Sequence, residues 1–86
     1  MKTAEQPKTC TFEIEYTDTF GGEANYSWVR RKTLTLPANI TDRALVQRAK
    51  LEMGLTGCQC RKEDMGDLIA LYPQGSCTVL FIQSVY

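Results

Sequence analysis

The stretch Thr9-Cys10-Thr11-Phe12-Glu13-Ile14-Glu15-Tyr16-Thr17 decides the fold class. Phe12, Ile14 and Tyr16 alternate with Thr11, Glu13, Glu15 and Thr17. Successive side chains of a strand point to opposite faces, so this period of two predicts a strand that is apolar on one side and polar on the other. The next segment, Asp18 to Asn25, has Gly21-Gly22 at its middle and predicts a hairpin connection. A second strand follows from about Tyr26 to Leu36, ended by Pro37, which cannot donate to a ladder. Its alternation puts Trp28, Leu34 and Leu36 on one face, but Arg30 and Lys32 fall on that face too. A β-bulge near Arg30 and Arg31 would shift the register and relieve the conflict.

Beyond the hairpin the period changes to that of a helix. Leu45, Val46, Ala49 and Met53 recur at helical spacing, with Arg43, Gln47 and Lys50 expected opposite them. Thr41 is the expected cap, Asp42 complements the first turn, and Ile40 is placed to staple onto Leu45. Gly54 and Gly57 mark the exit. A short segment from Cys58 to Lys62 reads as extended. Two nearly continuous apolar strands, Asp67–Tyr72 and Cys77–Gln83, then flank the turn Pro73-Gln74-Gly75-Ser76. The expected fold is α+β: an antiparallel sheet of four strands, or five if the Cys58 segment joins it, with one helix packed on one face, in the order β-β-α-β-β. Residues 1–8 read as a polar, flexible tail and residues 9–86 as a single domain.

At 86 residues, 43% apolar and 23% charged, the chain suits one packed core. Folding at this size hides only about 60–65% of the unfolded chain's surface, so the margin is narrow. The longest charge-free stretch, Leu68 to Tyr86, is broken by Pro73, Gln74, Gly75, Ser76, Gln83 and Ser84, and predicts no membrane span. No apolar run follows Lys2, so no secretory signal is expected, and the expected location is the cytoplasm.

The net charge of zero hides an uneven spread. Residues 1–29 carry −3, from Lys2 and Lys8 against Glu5, Glu13, Glu15, Asp18 and Glu23. Residues 30–62 carry +6, from Arg30, Arg31, Lys32, Arg43, Arg48, Lys50, Arg61 and Lys62 against Asp42 and Glu52. This basic middle makes either a basic face or a set of cross-strand ion pairs.

With no histidine, Ser-His-Asp and Cys-His arrangements are excluded. Gly21-Gly22 lacks phosphate-loop spacing, and Glu13 with Glu15 on one open strand face makes a poor catalytic pocket. No enzyme activity and no cofactor is expected. Cys10, Cys58, Cys60 and Cys77 lack the paired CxxC spacing of a zinc site and read as small apolar residues in the core. The binding candidates are Tyr26, Trp28, Arg30, Arg31, Lys32 and Arg61, since Trp and Arg dominate interface energetics. Three partners fit them: another protein, a second copy through the largely uncharged C-terminal hairpin, or nucleic acid bound by Arg30–Lys32 together with Arg61 and Lys62. In the competing structural reading, Trp28 fills the core and Arg30 or Arg31 faces Glu13 or Glu15 across the hairpin.

The runs Tyr16-Thr17-Asp18-Thr19-Phe20-Gly21-Gly22-Glu23-Ala24-Asn25-Tyr26-Ser27-Trp28-Val29-Arg30-Arg31 and Gly66-Asp67-Leu68-Ile69-Ala70-Leu71-Tyr72-Pro73 resemble segments of small proteins encoded by bacteriophages and prophages. Together they cover about a quarter to a third of the chain. The resemblance implies an accessory protein of a mobile element, made in the cytoplasm of a bacterial host. It also implies action by occupying a host protein, such as a component of CRISPR or another defence system. It assigns no catalytic or binding residue.

Overall fold

The structure is a computed structural model that describes residues 8–85, so the expected tail lies, apart from Lys8, outside the described residues. The chain forms β1 (Thr9–Phe20), β2 (Glu23–Pro37), α1 (Asp42–Glu52), β3 (Cys60–Asp64), β4 (Leu68–Pro73) and β5 (Thr78–Ser84). The class is α+β, as expected. The segment expected from Cys58 to Lys62 joins the sheet as β3, shifted two residues to Cys60–Asp64, making five strands in the order β2-β1-β5-β4-β3, all neighbours antiparallel.

The alternation of β1 places Phe12, Ile14 and Tyr16 on one face, beside Ile82 and Leu80 of β5, which continue to Ile69 and Leu71 of β4. The connection from β2 to β3 joins the two outermost strands, so it must cross the sheet, and it does so over this apolar face as α1. Leu45 and Ala49 of the helix, its C-cap Met53 and Leu55 after it close one cluster with Ile14, Leu34, Leu36, Ile69, Leu71, Leu80 and Ile82. Burying each large aliphatic side chain here contributes about 1.5–3 kcal/mol. Thr41 caps the helix as its sequence predicts, its hydroxyl accepting from the Ala44 N–H at 3.1 Å, and Ile40 packs against the core.

Two expectations are corrected. Arg43 and Gln47 are exposed, but Lys50 is buried, because the chain folds back under the helix end and its Nζ donates to the Cys58 carbonyl at 2.6 Å. The cysteines are not core residues as a group. Cys58 and Cys77 lie in exposed connections outside the strands, Cys10 and Cys60 are half-buried, and only Cys60 packs against the core.

The bulge is also displaced. Arg30 and Arg31 keep regular register with Tyr16 and Glu15, and the break falls between Thr17 and Thr19, where Asp18 faces residues 25–28 of β2. Arg30 and Lys32 therefore stay on the helix side of the sheet with Leu34 and Leu36. They are tolerated there because β2 is an edge strand, whose long side chains reach past the core into water.

Candidate functional site

The β1–β2 hairpin extends past the end of β5, whose pairing with β1 stops at Asp18. Gly21 and Gly22, with φ of 64° and 86°, supply the two left-handed positions of a tight hairpin turn between Phe20 and Glu23. The bulge below that turn is organised by Asp18. Its carboxylate accepts from the Ser27 hydroxyl at 2.6 Å, from the Asn25 amide at 2.9 Å and from the Ser27 N–H at 3.0 Å. These bonds, led by the Ser27 hydroxyl, hold the Asp18 carboxyl well below the usual carboxylate range. The Thr17 side chain, fully buried, donates to the Trp28 carbonyl at 2.7 Å and ties the other side of the bulge.

This geometry separates the two candidate aromatics. Tyr26 takes a left-handed backbone, φ 59°, which a bulky residue adopts only at a cost of about 1–2 kcal/mol. Its hydroxyl donates to Glu15 at 3.0 Å on the open face of the sheet. Partial burial, then the bond to Glu15, pushes the Tyr26 hydroxyl above its ordinary pKa. Trp28 lies on the helix side, edge-on to Tyr16 with ring centroids 5.3 Å apart, and remains 41% exposed. Trp28 is thus neither a core residue nor a free one. Phe20, at the turn, is 80% exposed. The sequence reading missed it, because Phe20 is exposed by lying beyond the end of β5, with only Glu23 of β2 opposite it.

The basic candidates divide likewise. Arg31 meets Glu15 at 2.6 Å on the open face, and that bond raises the already high pKa of its guanidinium. On the helix side Lys32 meets Glu52 at 2.6 Å, and Arg48 meets the same carboxylate at 3.0 Å. Together they depress the Glu52 pKa, Lys32 more than Arg48. Arg30 is exposed and in no ion pair among the described residues. Arg61 pairs with Glu63 at 2.5 Å and lies over the Tyr72 ring at 4.3 Å. Arg61 and Lys62 belong to β3, at the opposite edge from β2. Four strand spacings of about 4.8 Å put the two basic groups about 19 Å apart, so they do not form the joint patch expected for nucleic acid.

The C-terminal hairpin has no free edge, because β4 and β5 each have a neighbour on both sides. What it offers is the open face, where Leu68, Tyr72 and Phe81 are half-buried. A recess of about 190 Å³ lies there, lined by Glu13, Glu15, Tyr26, Leu68, Phe81 and Gln83. Small-molecule pockets usually hold about 300–1,000 Å³, so the recess suits a side chain better than a substrate. A wider groove of about 520 Å³ runs between α1 and β3, lined among others by Lys50, Cys58, Cys60 and Lys62. Burial pushes the Cys60 thiol above its ordinary pKa, away from nucleophilic use. No three His, Cys, Asp or Glu side chains among the described residues gather closely enough to hold a metal ion. No helix among them is long and apolar enough to cross a membrane.

Neither family models, nor curated proteins, nor solved structures yield a match to this chain.

Proposed function

We propose that the chain is a non-enzymatic protein-binding module whose contact surface is the outer β1–β2 hairpin. The observation that carries this reading is the exposure of Phe20, Tyr26 and Trp28, at 80%, 49% and 41%, on one short arm of backbone. Their cost is visible in the left-handed backbone of Tyr26, and their partial burial leaves apolar area in water that docking would cover. Aromatic side chains beside an arginine are the residue types that most often anchor protein interfaces. The setting is the one that the resemblance implies: an accessory protein of a phage or prophage, acting in the cytoplasm of its bacterial host on a host protein, as an antagonist of a defence system such as CRISPR.

The test is affinity capture from bacterial lysate by the intact chain and by the double variant Phe20→Ala, Trp28→Ala. The reading expects a defined protein retained by the parent and lost by the variant while the variant's thermal midpoint shows that it is folded. Equal capture by both, or none by either, overturns it.

A further inference from the structure

We propose that the outer edge of β2, which has no neighbouring strand among the described residues, receives an extended acidic segment of the partner as a sixth strand, with carboxylates at alternate positions turned to the α1 side of the sheet. The proposal rests on the protein-binding reading above and specifies the partner's chemistry.

The two edges of the sheet are unequal. β3 has five residues, and its Arg61, Lys62, Glu63 and Asp64 carry both signs, which discourages strand addition. β2 has fifteen residues and a single carboxylate, Glu23, near the turn. Its bulge disturbs only residues 25–28, so from Val29 to Leu36 the strand is regular. Arg30, Arg31, Lys32, Thr33 and Thr35 along this portion are exposed. A strand at an edge presents unpaired N–H and C=O groups to any extended chain that can lie beside it.

Charge decides which chain that is. On the α1 side, Lys32 and Arg48 share one carboxylate, Glu52, and Arg30 lies on the same face in no ion pair among the described residues, which leaves an excess of positive charge. On the open side, Arg31 sits opposite Glu15 and also feels Glu13, so no positive excess remains. Arg30 and Lys32 are two residues apart, the repeat at which a strand shows one face. An incoming strand with Asp or Glu at every second position meets both, while its other face lies beside Arg31 and Tyr26. A second copy of this chain is the poorer occupant. Antiparallel pairing of two β2 strands over their full length centres on Arg30 and sets it opposite Arg30 of the copy, and like charges across strands repel.

The test titrates the intact chain with synthetic peptides of alternating threonine and glutamate, the same peptide with lysine for glutamate, and the glutamate peptide N-methylated at alternate residues. Amide exchange followed by NMR locates the contact. The expected result is protection confined to Val29–Leu36, at least tenfold weaker binding of the lysine peptide, loss of binding on N-methylation, and reversed charge preference in the variant Arg30→Glu, Lys32→Glu. Equal affinity for both charges, protection on β3 instead, no binding, or sedimentation as a dimer through β2 overturns the proposal. If the lysate partner is still captured by Arg30→Glu, Lys32→Glu but not by Phe20→Ala, Trp28→Ala, the edge proposal fails and the hairpin reading stands.

Discussion

Thr17 and Trp28 face each other across the break in the β1–β2 ladder, and the 2.7 Å bond from the Thr17 hydroxyl to the Trp28 carbonyl replaces the backbone pairing lost there. The Thr17 side chain is sealed from water, while Trp28 itself is 41% exposed. Thr17→Val keeps the shape and deletes the donor. Its expected cost is about 0.5–1.5 kcal/mol, the net worth of one hydrogen bond. Urea unfolding followed by Trp28 fluorescence measures it, and a change under about 0.5 kcal/mol would contradict the assignment.

Asp18 holds the other side of the bulge as an anion, with its pKa depressed by Ser27 and Asn25. A carboxyl depressed in the folded state contributes stability above its unfolded pKa and loses that contribution as pH falls through the folded value. Asp18→Asn should therefore lower stability at neutral pH, and the gap from the parent should narrow in strong acid. Glu52, also depressed, adds to the parent's acid sensitivity with the same sign. Thermal midpoints between neutral pH and strong acid check this, and a gap that widens as the acid strengthens is the contrary result.

Phe20 and Ile14 give opposite outcomes on truncation to alanine. Ile14 is wholly buried at the centre of the core, and Ile14→Ala should cost about 2–5 kcal/mol. Phe20 is 80% exposed, and Phe20→Ala should stay within about 0.5 kcal/mol of the parent. Chemical denaturation of both variants makes the comparison. A large loss at Phe20 would place it in a folding role.

Lys50 donates to the Cys58 carbonyl while its stem crosses apolar surface. Lys50→Met preserves the stem and removes the bond, with an expected loss of about 1 kcal/mol and a loosened loop after α1. Faster alkylation of Cys60 in the variant would report the loosening. In the parent, Cys58 and Cys77 should be alkylated before Cys60, whose thiol is half-buried and held protonated by burial. Mass spectrometry resolves the order.

The hairpin, the helix with its Thr41 cap and the C-terminal strands were legible because each is written in local periodicity. The placement of the bulge was not. Alternation shows that Arg30 and Lys32 conflict with Leu34 and Leu36, but not that an edge position makes the conflict harmless, since edge status depends on which strand pairs with β1. The same non-local pairing hid the separation of Arg30 from Arg61 and the exposure of Phe20. For the basic run, the sequence left open whether Arg30 or Arg31 faces Glu13 or Glu15; the bulge shifts the register so that Arg31 meets Glu15, whereas Lys32 with Glu52 required knowing where α1 crosses.

The seam between β1 and β5 joins the first described strand to the last, and within it the Tyr16 hydroxyl reaches Thr78, 62 residues along the chain. During synthesis the β1–β2 hairpin leaves the ribosome early but must wait for β5 before its inner strand gains a second neighbour. A nascent chain stalled short of Thr78 would hold two ribbons and a helix with no closed interior, and closing that long loop is the step that should limit its folding rate.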